Sequence, residues 1–160
     1  MEENEGLKEL LLDALACEYH LAKIFEERSK DSLNPYERSL FEKMRDECRI
    51  HAERIRDALK ILGLGDGEEV PPFPEKLSIF KEKREFKSSL EKDLFYTKMH
   101  LKLEEELMEV YKWLSEEVED RMARVLFKAN YEDEVIHHQE FSSLLKAIEG
   151  VLRERAEMEE

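Results

Sequence analysis

In the run Glu134-Val-Ile-His137 a carboxylate and an imidazole stand three residues apart. On a helix, positions i and i+3 share a face, so both side chains can reach one metal ion. A bundle interior that takes such a pair from one helix and a lone glutamate from its neighbour, twice over, can hold two ions. Oxygen and nitrogen donors of this kind suit iron or manganese. The partners come from an internal repeat. A shift of 86 residues lays FEKMRDECRIH (41–51) on FKANYEDEVIH (127–137), so that His51 falls on His137. The same shift puts Glu18 on Glu104, Leu15 on Leu101, Leu21 on Leu107, Phe25 on Tyr111, Ser29 on Ser115 and Leu40 on Leu126. Aligned helical stripes match leucines readily, but not the polar Glu18/Glu104 and His51/His137 pairs.

Glu18 and Glu104 both lie among apolar residues of a helical stripe, although Glu105 and Glu106 beside Glu104 leave a one-residue register slip open. An unpaired carboxylate on an inward stripe is costly and needs a cation. The repeat breaks at Cys48, which stands where Glu134 stands in the other half. Glu47 cannot substitute for the missing carboxylate, because it points about 100° around the helix. Cys48 has several readings: a thiolate ligand to iron or zinc, a thiol oxidised near a metal, or a space-filler that leaves a weak or single-metal site. A Cys17–Cys48 bridge is a further one. Tyr111 and Tyr131 can hydrogen-bond ligand carboxylates. Asp133 and Glu47 read most simply as solvated acids, with orientation of the opposite half's histidines as the alternative. His20, His100 and His138 show no partner, and Trp113 and the methionines read as core or interface fillers.

Positioning these groups requires four helices. Apolar spacing predicts the first from about Gly6 to Asp31. After a turn with Asn34 as N-cap and Pro35 at the first helical position, the second runs to about Leu62, ended by Gly63, Gly65 and Gly67. A third covers roughly Ser88 to Glu117 and a fourth roughly Asp120 to Ile148, with Gly150 as a stop and the last residues frayed. Between the second and third lies one long connection, 63–87, carrying Pro71, Pro72 and Pro74 and a short helical turn around Lys76–Lys81. About 20 extended residues reach up to ~70 Å, while a 27-residue helix is only ~40 Å long. The chain can therefore return along the whole bundle before starting its second pair. The fold class expected is all-α: a ferritin-like four-helix bundle with one long crossover between helices 2 and 3. The 160 residues make one domain, with the repeat over 7–62 and 88–148.

These segments resemble the rubrerythrin family. LLLDALACEYHLAKIFEERSK is similar to that family's first helix, CRIHAER resembles its Glu-x-x-His-Ala-x-Arg segment with Cys in place of Glu, and EDEVIHH resembles its fourth-helix Glu-x-x-His. The resemblance covers about residues 7–62 and 88–148. It implies a binuclear iron site with Glu18, His51, Glu104, Glu134 and His137 as ligands and Glu134 bridging. Manganese, or a single iron or zinc, are the alternatives. Family members reduce peroxide or oxidise ferrous iron. An additional third-helix Glu of some members has no equivalent, because its place is Leu107. Many members also carry a rubredoxin module, for which this chain has no cysteines, so electrons would come from a separate donor protein.

Composition bounds the rest. Net charge is −14, which disfavours a nucleic-acid partner, since phosphate binding rests on a positive surface. The beginning, MEENEGLKELLL, is acidic where a signal peptide is basic, and no apolar run is long enough to span a membrane, so a cytoplasmic protein is expected. The cysteines number two, with no Cys-x-x-Cys pair, which excludes a disulfide framework or zinc ribbon. A homodimer is expected for a bundle of this size. Three functions follow: an oxidoreductase acting on hydrogen peroxide or dioxygen or on ferrous iron, a non-catalytic metal-binding bundle altered by Cys48, or a metal-free partner module.

Overall fold

The computed structural model describes residues 2–159. Helix α1 (Glu2–Lys30) leads through a short turn into α2 (Pro35–Ile61), where the Asn34 side chain accepts from the Glu37 amide at 2.9 Å and Pro35 occupies the first turn. Glu37 reaches back to the Leu33 amide at 3.4 Å, completing a reciprocal cap. Gly63 closes α2 in the left-handed region (φ 68°), with the Leu64 amide bonded to the Leu59 carbonyl at 2.9 Å. Ser88 caps α3 (Ser89–Glu117), and the Asp120 side chain accepts from the Ala123 amide at the start of α4 (Arg121–Glu159).

Cross-helix contacts fix the directions. Arg28 meets Asp93 and Glu18 meets Tyr111, so α1 and α3 are antiparallel. Lys43 meets Glu140 and Arg54 meets Asp133, so α2 and α4 are antiparallel too. With α1–α2 and α3–α4 forming antiparallel hairpins, α2 and α3 run parallel. This is the all-α, ferritin-like four-helix bundle with one long crossover. The half exchange relating α1/α2 to α3/α4 therefore swaps the two ends of the bundle.

The crossover is pinned as it passes. Arg56 donates to the Gly67 carbonyl at 3.0 Å, and a Cβ at Gly67 would sit 3.1 Å from Arg56 and Leu59 side-chain atoms. His20 Nε2 lies 2.8 Å from the Pro71 carbonyl, and a 3₁₀ turn (Glu75–Phe80) buries Leu77 and stacks Phe80 on His100 of α3. The strap thus lies over the seam between α1 and α3.

Two expectations change. The fourth helix does not stop at Gly150 but continues to Glu159. One interior glycine costs only about 1 kcal/mol relative to alanine, and Leu152 beyond it still packs on the core. Of the two expectations for Trp113, core or interface filler, the core one falls: it is 52% exposed, whereas Met44 is fully buried.

Where α1, α2 and α3 meet, Arg28 donates to Asp93 Oδ1 at 2.7 Å and its guanidinium lies 4.2 Å from the centre of the Phe41 ring. Burial, together with the neighbouring Asp93 carboxyl, pushes the Glu37 pKa up to about 8. The folded chain thus keeps a proton that the unfolded chain releases above about 4.5. That contribution to stability is complete below the lower value and disappears as pH rises through the upper one. Glu37→Gln, which keeps the capping oxygen, should lose less stability than the parent across this window. Parallel pH curves from urea unfolding of the two proteins would refute the assignment.

Candidate metal centre

Glu18 of α1, His51 of α2, Glu104 of α3, and Glu134 and His137 of α4 are all at most 1% exposed. The structure gathers them at one level of the bundle. His51 Nδ1 lies 3.3 Å from Glu18 Oε2 and 3.0 Å from Glu134 Oε1. His137 Nδ1 lies 3.6 Å from Glu104 Oε2 and 3.6 Å from Glu134 Oε2. Two donor triads result, Glu18/His51/Glu134 and Glu104/Glu134/His137, and Glu134 gives one oxygen to each. The imidazole rings are 5.5 Å apart, centre to centre.

Buried oxygens and nitrogens normally find hydrogen-bond partners. Here Glu18 Oε2, His51 Nδ1, Glu104 Oε2 and Glu134 Oε2 have none, although His51 Nδ1 is within 3.3 Å of two carboxylate oxygens. The His51 Nδ1 contacts lack hydrogen-bond geometry, and the 3.6 Å contacts of His137 Nδ1 are too long for hydrogen bonds. Such unpaired donors, brought together from four helices, fit a pair of divalent cations better than they fit one another.

The outer ring nitrogens are held from the opposite half. His51 Nε2 is 3.0 Å from Asp133 Oδ2, and His137 Nε2 contacts Glu47 Oε2. The simpler expectation for these acids, a solvated surface, is therefore set aside. A carboxylate on the outer nitrogen fixes the ring's tautomer and orientation, and leaves Nδ1 free to ligate. Asp133 is itself held by Arg54 Nη1 at 2.8 Å, and Arg54 also donates to Asn130, whose amide donates to the His51 carbonyl. Arg54 closes the CRIHAER segment but had no role assigned from the sequence, and Asn130 was not singled out there. Their signal was spacing: Arg54 follows His51 by three residues and Asn130 precedes Glu134 by four.

The charges are strongly coupled. Burial disfavours an imidazolium at His51, but Glu18, Asp133 and Glu134 outweigh it and hold its pKa well above the ordinary value. Burial opposes charge on His137 as well, yet Glu134 and Glu47 raise it to about 10. Glu134 would be raised by burial, but the two histidines hold it at about 2. Hydrogen bonding from His51, and then from Arg54, holds Asp133 at about 2. Tyr111 donates to Glu18 Oε1 at 3.1 Å, leaving Oε2 for the centre, as its repeat position allowed. Tyr131 is half-buried, packed against the core.

Cys48 is 2% exposed and sits close enough to Glu18 and Glu134 that burial, reinforced by both carboxylates, pushes its pKa well up. Its sulfur belongs to neither donor triad. Cys17 and Cys48 are both free thiols. His20 and His138 take partners in Pro71 and Glu105, whereas His100 has none. Among the described residues, no helix is long and apolar enough to cross a membrane.

Comparison with known proteins agrees with this geometry. The family model described as Rubrerythrin matches residues 9–145. No curated protein and no solved structure matches the chain.

Proposed function

Since the chain belongs to the rubrerythrin family, we propose that its buried glutamate–histidine cluster holds two iron ions and that the protein is an oxidoreductase reducing hydrogen peroxide, with dioxygen as the other candidate oxidant. The observation that carries this reading is the set of four unpaired buried atoms converging from four helices. Glu18, His51 and Glu134 would hold one ion, and Glu104, His137 and Glu134 the other. Two ferrous ions bound there would supply one electron each, which with two protons takes one hydrogen peroxide to two waters.

The chain's own groups prepare that chemistry. Asp133 and Glu47 keep a proton on each outer imidazole nitrogen, so the proton that metal binding would displace is the inner one, which frees a lone pair on each Nδ1. Tyr111 holds its proton on Glu18 Oε1, steering the other oxygen inward. Burial of the cluster excludes bulk water. Electrons would come from a separate reductant, because Cys17 and Cys48 are both buried free thiols.

One observation favours a second reading, a metal-holding bundle without efficient turnover: a thiol occupies the place where the repeat would put a second shared carboxylate. The test is anaerobic ferrous loading, desalting and elemental analysis, beside a His137→Ala variant. About two irons per chain, reduced in the variant, followed by oxidation on adding peroxide, is the expected result. A single iron, or zinc, favours the second reading. No metal in either protein overturns both.

A further inference from the structure

Among the described residues, eight buried side-chain polar atoms lack a hydrogen-bond partner, and they fall into two groups. Four belong to the metal centre. The others are Arg28 Nη1, both ring nitrogens of His100, and Asp93 Oδ2, whose carboxyl has the protonated Glu37 beside it. Asp93, Thr97, His100 and Glu104 stand at i, i+4, i+7 and i+11 of α3 and are all buried. The inner stripe of that helix is therefore polar from its first turn to the centre, a length of about 16 Å at 1.5 Å per residue.

The repeat shows that the fold does not require this. The equivalents on α1 are Leu7, Leu11 and Ala14, leading to Glu18, and Arg28 corresponds to Leu114. One end of the bundle approaches the centre through apolar residues, the other through polar ones. Unpartnered buried polar groups destabilise a fold, so the polar end calls for a ligand.

The stripe begins at solvent and ends beside the centre. A cleft of about 420 Å³ is lined by Arg28, Ser89, Lys92, Asp93, Tyr96 and Phe80. Phe80 forms a wall of that cleft and also stacks on His100 at 4.4 Å, with Phe25 at 4.4 Å and Phe141 at 5.6 Å from the same ring. His100 is one helical turn from Glu104, and Phe141 one turn from His137, so His100 occupies the layer next to the centre.

The chemistry of the cleft, and of Thr97 and His100 buried behind it, selects the occupant. Arg28 and Lys92 are outnumbered by one by Glu27, Asp31 and Asp93, so an anion is disfavoured and no strong charge of either sign is concentrated there. Arg28 Nη1 has hydrogens to donate, and the Thr97 hydroxyl, which accepts from Arg28 Nη2 at 3.5 Å, keeps its own proton to donate. Asp93, held by Arg28 and beside the protonated Glu37, retains accepting lone pairs. Burial, with Arg28 nearby, holds His100 well below its ordinary pKa, so the neutral ring offers one donor and one acceptor. A small uncharged molecule with hydrogens and lone pairs at both ends matches this set. Resting on the proposed peroxide chemistry, we propose that hydrogen peroxide enters at this cleft, binds at His100 and Thr97, and reaches the metal centre along the polar stripe of α3.

Two arms test it. In the first, hydrogen peroxide is titrated into the full chain carrying redox-inert zinc in place of iron, and imidazole nitrogen-15 signals are followed. The His100 signal is identified by its loss in His100→Leu. It should shift saturably, and less so in Thr97→Val. No shift, or one shared equally by His20 and His138, would overturn the proposal. In the second arm, Thr97→Val combined with His100→Leu should slow peroxide oxidation of the ferrous protein at least about tenfold at unchanged iron content, since two hydrogen-bonding partners are lost on the path. An unchanged rate would overturn it. The zinc arm uses the unsubstituted stripe and decides alone if the double variant fails to hold metal. A ferrous parent protein inert to peroxide would sink the proposed function, and the zinc arm would still decide this inference.

Discussion

Glu134→Ala should strip both metal ions from the protein, whereas Glu18→Ala or Glu104→Ala should each weaken mainly one. Glu134 alone among the three carboxylates places an oxygen near each histidine, Oε1 by His51 and Oε2 by His137. Its removal takes a donor from both triads at once. It also removes the carboxylate that offsets two buried imidazoles. Loss of an outer partner of a ligand costs roughly 10–100-fold in metal affinity, so loss of a shared direct ligand should exceed that. The measurement is metal content after loading and desalting. Retention of both ions in Glu134→Ala would show that the triads do not share this residue, and the binuclear reading would fall.

Cys48→Glu should produce the largest change in the opposite sense. The substitution places a carboxylate where the repeat has Glu134, against a cluster that already holds Glu18 and Glu134. Without metal, a further buried charge in that position destabilises the fold by about 3–5 kcal/mol if unpaired. With two divalent ions present, three carboxylates become four, and charge balance improves. The metal-free variant should therefore melt below its parent and the loaded variant above it, since binding to the folded state alone raises stability. Oxidation by peroxide should rise with it. Equal melting shifts in both states would show that the new carboxylate never reaches the centre. No gain in oxidation at unchanged metal content would tell against the view that Cys48 limits turnover.

The helices and their order were legible because the apolar stripes are regular and the caps are written in residue types: Asn34-Pro35, Ser88, Asp120. Glu18, Glu104, His51 and His137 were legible because the repeat presents each polar exception twice, and Glu134 because it stands three residues before His137. The far end of α4 was misread because Gly150 was treated as a breaker, although nothing around it forces a turn. Asp133 and Glu47 were ambiguous because an acid at the edge of a helix seam looks solvated until the opposing helix is in place. Arg28, Asp93 and Thr97 were overlooked, and His100 was left without a role, for a different reason. Each is unremarkable alone, and only their common spacing on α3, and the partner that α1 supplies in Arg28, makes them a group.

The end-swapping relation between the two hairpins has a consequence for what such a chain can become. Two identical half-length chains could assemble the same backbone, but every position would then occur twice, once at each end. Any cysteine in the shared-ligand position would remove both carboxylates, and any polar stripe would open both ends. The strap that joins α2 to α3 lifts that restriction. Covalent joining allows one hairpin to keep Glu134 while the other carries Cys48, and one end to stay greasy while the other is wet. Here 63–87 is therefore more than a tether: it is what permits two copies of one ancestral pattern to specialise.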